Sequence, residues 1–340
     1  MRKLLLITLT LIAFSCGSNT HTLDKSLNAD LITNAVATNY ANTINTSDLK
    51  TLLYQFASDE FEGRETGEPG QKLAAEYLKT FYIDHKIKSP NNDDNYFQTI
   101  PTSNLKPDLN PSENVAAFIK GTEKPDEIVV ISAHYDHLGK TNTGIYYGAD
   151  DDGSGTVAIL EIAEAFQKAV DEGNGPKRSI LFLHFTGEEK GLLGSKYYSE
   201  YPIFPLDKTV TDLNIDMIGR VDDAHINNTN YVYLIGSDKL SKELHFLSEE
   251  INEKFTNLNL DYTYNDENDP NRFYYRSDHY NFAKNNIPII FYFNGTHKDY
   301  HKMTDTPDKI NYDLLSKRAK LVFYTAWEIA NRENRIALTN

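Results

Sequence analysis

The amino-acid sequence predicts an α/β protein built on a mostly parallel β-sheet. Residues 127–133 and 179–185 are nearly continuous apolar runs, which is typical of strands buried on both faces of a sheet. Between them, residues 154–170 have the composition of a stable helix. Because strand and helix patterns continue to alternate along the chain, the sequence indicates an α/β architecture with largely parallel strands.

The remaining elements are predicted in chain order by the same kinds of pattern. Ser47 and Asp48 are N-cap candidates for a helix over 47–56, and Pro69 is a favourable first residue for a helix over 69–85. Short apolar runs predict the other strands, at 114–119, 209–217, 231–235 and 287–293. Amphipathic spacing predicts the later helices, at 240–255 and 313–332.

The N-terminus has the pattern of a secretion signal. A charged start precedes an uncharged apolar run over 4–14, and Cys16, the only cysteine of the chain, follows two residues later. The four residues Ala-Phe-Ser-Cys that end at Cys16 resemble a bacterial lipobox. We therefore expect a signal peptide over 1–15 and export, with a lipid on Cys16 anchoring the chain to a bacterial envelope membrane. A plain secretory signal, giving a periplasmic or secreted protein, is the alternative.

The rest of the chain is expected to form one domain behind a tether. Residues 16–45 are rich in Asn, Thr and Ser, which predicts a flexible tether. The chain has 340 residues, 40% of them apolar, and can bury a large core. We assign 46–335 to a single domain.

Composition excludes several classes of function. The net charge of −15 argues against a nucleic-acid partner, since binding to phosphates needs clustered Lys and Arg. A single cysteine rules out an intrachain disulfide and leaves no thiolate among the candidate ligands. No segment after the N-terminus is long and apolar enough to span a bilayer.

Five short motifs carry a matched set of candidate metal ligands. They are His134 in SAHYDHLG, Asp151 in GADDDGSG, Glu189 in TGEEKG, Asp216 in NIDMIG and His301 in DYHKMTDT. Two imidazoles and three carboxylates suit a pair of Zn²⁺ ions if one carboxylate bridges them, with cobalt or manganese as possible substitutes. Most of these residues lie at or after the C-terminal ends of predicted strands, where ligands bind in open α/β sheets. We therefore expect the five to converge.

Each motif also has a structural alternative. On a strand, His134 and Asp136 share a face, so Asp136 is expected to accept the second N–H of a metal-bound His134, although a purely structural His134 is the alternative. Residues 150–152 are three consecutive carboxylates between glycines, which favours a bound cation; a solvated turn that caps the next helix is the alternative.

The two adjacent glutamates can divide two roles. We assign Glu189 to the metal and Glu188 to general-base catalysis, because adjacent side chains point in different directions. The alternative is that they merely begin the following helix favourably. For Asp216, a buried carboxylate, the alternative to a metal is a salt bridge to Arg220.

The spacing in the last motif leaves the choice of ligand open. His297 and His301 lie four residues apart, and either could be the metal ligand. Asp305, which follows them, could orient the loop or the imidazole.

Together the motifs resemble the M28 family of zinc aminopeptidases over about residues 48–330. The resemblance includes FEGRETGEPGQKLAAEYL, SAHYDHLG, GADDDGSGT, TGEEKGLLGS, NIDMIGR, the SDH at 277–279 and YHKMTDTPDKI. It implies a central mixed β-sheet sandwiched by helices, a fold of the zinc-exopeptidase type. Only residues 102–126 separate YFQTIP from the HYDH strand, which is too short for the protease-associated insert of many relatives.

The resemblance also implies a role for each site residue. Asp151 would bridge two zinc ions. His134 and Asp216 would complete the site of one ion, and Glu189 and His301, rather than His297, the site of the other. Glu188 would be the general base, and Asp136 would support His134.

The expected function is hydrolysis of single residues from the N-termini of peptides, with water activated by two zinc ions per chain. Residues 257–276, rich in Tyr and Asn, are expected to form a long loop near the rim of the site. One alternative is a glutaminyl-cyclase-like acyltransferase with a single zinc. Another is a surface lipoprotein that binds peptides without catalysis.

Overall fold

A mixed β-sheet of eight strands forms the centre of the computed structural model, which describes residues 31–91 and 93–339. In chain order the strands are β1 Phe97–Ile100, β2 Ser112–Ile119, β3 Lys124–His134, β4 Lys140–Thr141, β5 Gly144–Ile145, β6 Arg178–Phe185, β7 Thr209–Ile215, β8 Tyr231–Ile235, β9 Asn259–Asp261 and β10 Ile289–Phe293. Strands β4 and β5 pair separately as a small ribbon, and the other eight form the sheet in the order β1-β2-β6-β3-β7-β10-β8-β9.

The middle of the sheet is parallel and its margins are mixed. Strands β6, β3, β7 and β10 pair in parallel, so their carboxyl ends lie along one edge. Antiparallel pairing joins β2 to β6 and β8 to β10. This arrangement confirms the predicted mixed and mostly parallel sheet, and it places the ends of β3, β6, β7 and β10 next to one another.

Helices cover both faces of the sheet. They are α1 Ala35–Ala41, α2 Thr46–Phe56, α3 Pro69–Asp84, α4 Gly155–Asp171, α5 Leu193–Glu200, α6 Lys242–Ile251, α7 His279–Ala283 and α8 Tyr312–Asn331. Side chains of β3 alternate between the two layers, because Val129 and Ile131 join the larger core cluster while Ile128 and Val130 join the smaller one. Residues of α4 and α8 belong to the larger cluster, and those of α5 and α7 to the smaller.

The structure corrects the N-terminal boundary of the domain. The tether predicted over 16–45 is too long, because residues of α1 pack into the core and Ala37 and Ala41 are fully buried. Two hydrogen bonds extend this packing, since Thr33 donates both its hydroxyl and its backbone N–H to Oε2 of Glu328 in α8. The next helix is capped by Asn45, whose side chain accepts the N–H of Ser47, and not by the predicted Ser47 or Asp48.

The predicted signal peptide and Cys16 lie outside the described residues. Within residues 31–91 and 93–339, none of the helices combines the length and the apolar character needed to cross a membrane.

Candidate metal centre

The five predicted ligands meet at the carboxyl edge of the parallel strands. His134 is the last residue of β3, and Asp216 directly follows β7. Glu189 lies in the turn after β6, and His301 in the loop after β10. Asp151 comes from the tight turn over Ala149–Ser154 that leads into α4. The topology of the sheet thus brings together five side chains that are far apart in sequence.

One group of donors consists of His134, Asp151 and Asp216. The Nε2 atom of His134 lies 3.2 Å from Oδ1 of Asp151 and 3.7 Å from Oδ1 of Asp216. All three residues are buried, and their donor atoms lie close enough together to hold one metal ion.

A second group faces the other oxygen of Asp151. The Nε2 atom of His301 lies 3.0 Å from Oδ2 of Asp151 and 3.3 Å from Oε2 of Glu189. The two oxygens of Asp151 therefore point to different groups of donors, which is the arrangement expected of a bridging carboxylate.

Several donor atoms in the two groups have no hydrogen-bond partner among the described residues. They include Nε2 of His134, Oδ2 of Asp151 and Oε1 of Glu189, all of them buried. An unsatisfied buried polar atom costs about 1–3 kcal/mol, and more if it is charged. Bound cations would satisfy these atoms, and imidazole nitrogen with carboxylate oxygen is a donor set that zinc accepts. The residues therefore fit a zinc centre.

The three consecutive aspartates have separate contacts. Asp151 faces the donor groups, whereas Asp150 and Asp152 fasten the turn to the loop after β7. Oδ1 of Asp150 accepts the N–H of Gly219 at 2.7 Å, and Oδ1 of Asp152 accepts the N–H of Met217 at 2.9 Å. The outer two carboxylates thus hold the turn that carries Asp151 against the loop that carries Asp216.

Asp136 supports the site differently from the sequence-based expectation. Nδ1 of His134 lies 3.0 Å from the backbone carbonyl oxygen of Asp136, whereas the carboxylate of Asp136 lies 3.7 Å away. The carboxylate instead accepts the backbone N–H of Glu188 at 3.1 Å and the hydroxyl of Thr66 at 2.7 Å. The chain leaves β3 at His134, so the strand alternation used in the prediction no longer applies at Asp136.

The half-buried Glu188 sits in a strongly negative environment. Burial raises the pKa of Glu188 well above its usual range, and the nearby carboxylates of Glu189 and Asp216 raise it further, while His134 lowers it. A cation in the centre would act in the lowering direction. Metal binding would therefore be coupled to the ionisation of Glu188.

The structure distinguishes between His297 and His301, the two candidate ligands in the loop after β10. His301 faces Asp151 and Glu189, whereas Nε2 of His297 lies 3.1 Å from Oδ2 of Asp150. Arg220, the alternative partner of Asp216, pairs instead with Asp299 at 2.8 Å.

One residue at the centre was absent from the sequence-based set. His137 is fully buried, and its Nδ1 lies 2.9 Å from Oε1 of Glu189 and 3.8 Å from Oδ2 of Asp151. His137 therefore adjoins the second group, and its donor atom lies close enough to those of Asp151 and Glu189 for the three to hold a metal ion. The available signal was its place in the run His-Tyr-Asp-His, three residues after His134.

The family is established by comparison with known proteins. The family model described as "Peptidase family M28" matches residues 114–326, which include all five predicted ligands. The chain belongs to peptidase family M28. Both donor groups described above therefore lie in the part of the chain that defines this family.

Solved structures that share this fold include an aminopeptidase and a glutaminyl cyclase. LapA aminopeptidase of Legionella pneumophila superposes with a TM-score of 0.68, at 21% identity, over 90% of this chain and 78% of that one. Glutaminyl cyclase of Porphyromonas gingivalis superposes with a TM-score of 0.65, at 19% identity, over 84% of this chain and 98% of that one. At such identities the likeness shows a shared fold.

Several curated sequences match about a third of this chain. Aminopeptidase NAALADL1 of Rattus norvegicus is 35% identical over 112 residues, or 32% of this chain and 14% of the relative. Across the first four of these relatives, the matched segment spans between 8% and 14% of the relative's length.

Proposed function

We propose that this M28 protein is a di-zinc exopeptidase that removes single amino acids from the N-termini of peptides. The observation that carries the proposal is the bridging position of Asp151, whose Oδ1 lies 3.2 Å from His134 and whose Oδ2 lies 3.0 Å from His301. A carboxylate placed in this way, with its own Oδ2 unsatisfied among the described residues, is suited to two cations rather than one.

The two donor groups would each hold one ion. His134 and Asp216 would share one ion with Asp151, and Glu189 and His301 would share the other. Bound zinc polarises a carbonyl oxygen and lowers the pKa of a coordinated water, which together favour hydrolysis of a peptide bond. The chain supplies the donors on strand ends and tight turns, which fixes their separation before any substrate arrives.

Glu188 is the proposed general base. It lies beside the ligand Glu189 and close enough to His134 for their charges to influence each other's pKa. In this role it takes a proton from the attacking water and delivers it to the nitrogen of the departing amine. The backbone N–H of Glu188 is held by the Asp136 carboxylate, so Asp136 acts as a positioning residue for the base.

Two alternative functions are compatible with the fold, but they predict a different number of zinc ions or no turnover. A glutaminyl cyclase of the kind anticipated from the sequence would hold one zinc per chain, and a non-catalytic binding protein would show no turnover. The paired donor groups around Asp151 favour two ions. The name of the related rat aminopeptidase supports cleavage at the N-terminus.

Adjacent glutamates give a matched pair of variants. We expect Glu188→Gln to keep two zinc ions but to lower the turnover of aminoacyl-nitroanilides by about 10²–10⁴-fold, the usual contribution of a general base. Glu189→Gln should lower the zinc content instead. Zinc per chain is measured by elemental analysis, and turnover with a panel of aminoacyl-nitroanilides with and without chelator. One zinc per chain, or no chelator-sensitive cleavage of any panel member, would refute the proposal.

We also propose that the protein is exported and carries a lipid on Cys16. The support is the position of this sole cysteine two residues after an apolar N-terminal run. Metabolic labelling with a fatty acid in a bacterial host should label the wild type but not Cys16→Ser. Equal labelling of the two proteins would show that Cys16 is not the anchor.

A further inference from the structure

His137 places a third imidazole at the centre, beside the donors already assigned. Its Nδ1 lies 2.9 Å from Oε1 of Glu189 and 3.8 Å from Oδ2 of Asp151. The side chain is fully buried, so solvent cannot serve as its partner.

The close approach of His137 to Glu189 brings together two buried atoms that each lack a hydrogen-bond partner among the described residues. Nδ1 of His137, Oε1 of Glu189 and Oδ2 of Asp151 all lack a hydrogen-bond partner among the described residues. Nε2 of His134 shows the same combination, since it is 3.2 Å from Oδ1 of Asp151 yet has no hydrogen bond. Buried donor atoms that lie this close together without hydrogen bonds to satisfy them can be satisfied by one shared cation.

The distances agree with shared coordination. Zinc bonds of about 2.0–2.2 Å in a tetrahedral site separate neighbouring donors by roughly 3.3 Å. The Nδ1 contacts of His137, at 2.9 and 3.8 Å, lie on either side of that value. The contacts of His301 with Asp151 and Glu189, at 3.0 and 3.3 Å, fall within the same range.

The His137 ring is held in place by its surroundings. The backbone N–H of His137 donates to the carbonyl of Arg64 at 3.1 Å. A Cβ atom at Gly148 would lie only 2.5 Å from Cγ of His137, so glycine leaves the space that the ring occupies. The other ring nitrogen, Nε2, also lacks a partner among the described residues, so packing rather than a second hydrogen bond fixes the ring.

We propose that His137 is a fourth protein ligand, through Nδ1, of the ion that Asp151, Glu189 and His301 hold. This inference rests on the proposed di-zinc function. It makes the two halves of the centre unequal, because the other ion has only His134, Asp151 and Asp216. Four protein donors fill a tetrahedral shell, whereas three leave a position open for water or substrate. The four-donor ion should therefore bind more tightly, and the three-donor ion should be the first removed by a chelator.

Zinc binding by matched variants tests this inequality. His137→Phe keeps a ring of similar size but removes the nitrogen donor. His184→Phe is the control, because His184 is also fully buried but contacts Tyr82 rather than any carboxylate of the centre. Loss of residues that only support ligands typically weakens metal binding 10–100-fold. We expect His137→Phe to weaken the tighter ion by more than about 100-fold, and His184→Phe to leave both affinities unchanged.

A crystal structure of the zinc-loaded wild type tests whether His137 binds zinc, even if a variant fails to fold. An Nδ1–Zn distance of about 2.0–2.1 Å at His137 would establish the ligand. Two bound ions with Nδ1 of His137 hydrogen-bonded to Glu189 and away from the metal would overturn this inference and leave the di-zinc proposal standing. No bound zinc would overturn both.

Discussion

Asp305 accepts the backbone N–H of Asp151 with its Oδ2 atom, at a distance of 3.2 Å. The same oxygen accepts the N–H of Asp150 at 2.9 Å, and the Asp305 side chain is completely buried. Its other oxygen lies 3.5 Å from Nη1 of Arg220. A carboxylate behind the turn therefore fixes the backbone of the residue whose own carboxylate faces both donor groups.

Replacing Asp305 should disturb the fold and the metal centre together. We expect Asp305→Ala to lower the free energy of unfolding by about 1–3 kcal/mol, because two buried N–H groups lose their acceptor. Zinc affinity should fall about 10–100-fold, since Asp151 is no longer held. Denaturant unfolding and zinc titration measure the two effects. Asp308→Ala, an exposed change in the same loop, is the control, and equal behaviour of the two variants would contradict the positioning role.

A buried arginine joins the segments around the centre. Arg64 is fully buried and donates to four backbone carbonyls, those of Phe56, Tyr135, Tyr147 and Gly148. Removing the guanidinium leaves these acceptors unsatisfied in the interior.

We expect Arg64→Met to lower the free energy of unfolding by at least about 3 kcal/mol, because four buried carbonyls lose their donor and each unsatisfied group costs about 1–3 kcal/mol. Denaturant midpoints report the loss, with Arg272→Met, at an exposed position, as the control. A loss below 1 kcal/mol for Arg64→Met would show that water readily replaces the guanidinium.

The sequence predicted the sheet because its central strands are buried on both faces and read as long apolar runs. It missed α1 because the buried residues of that helix are mostly alanines, whose small side chains give a weak hydrophobic signal. It also missed the short strand β1 and the five-residue helix α7, which are too brief for a periodic pattern to develop.

The candidate site was predictable wherever a motif ends a strand. His134, Glu189 and Asp216 follow apolar runs, so the parallel topology alone brings them together. The run His-Tyr-Asp-His marks His137 as a candidate, but its contact with Glu189 depends on how the chain turns after β3 and on the space left by Gly148.

Removing the metal should destabilise the protein. Without a cation, the buried carboxylates of Asp151, Glu189 and Asp216 lose their counter-charge and repel one another. A ligand at 100 times its dissociation constant stabilises the fold by about 2.7 kcal/mol per site. We expect the melting temperature to fall on chelation and to recover when zinc is returned. Magnesium should not restore it, because histidine ligands favour zinc. A melting temperature that does not change when chelator is added would contradict the presence of a stabilising bound metal.

A buried glutamate that is not among the metal-centre residues gives a separate pH dependence. Glu161 of α4 is only 3% exposed, and burial raises the pKa of its carboxyl from 4.5 to about 8, with further contributions from the charges of Glu164 and Asp48. Below pH 4.5 the group is neutral in both the folded and the unfolded chain. Between pH 4.5 and about 8 only the folded chain keeps the proton, so this group makes stability fall as pH rises.

Glu161→Gln should remove that pH dependence, because its amide stays neutral. We expect the variant and the wild type to differ little near pH 4.5, and the variant to be more stable by up to about 4 kcal/mol at pH 8, since the pKa of Glu161 is raised from 4.5 to about 8 and each pKa unit corresponds to about 1.4 kcal/mol. Denaturant unfolding of both proteins across this range measures the difference, and effects of the metal centre cancel because both proteins contain it. Glu76→Gln, on an exposed side chain, is the control. If the difference in stability does not change with pH, then Glu161 is ionised in the folded protein across this range. Nearby charges or water would then stabilise its carboxylate.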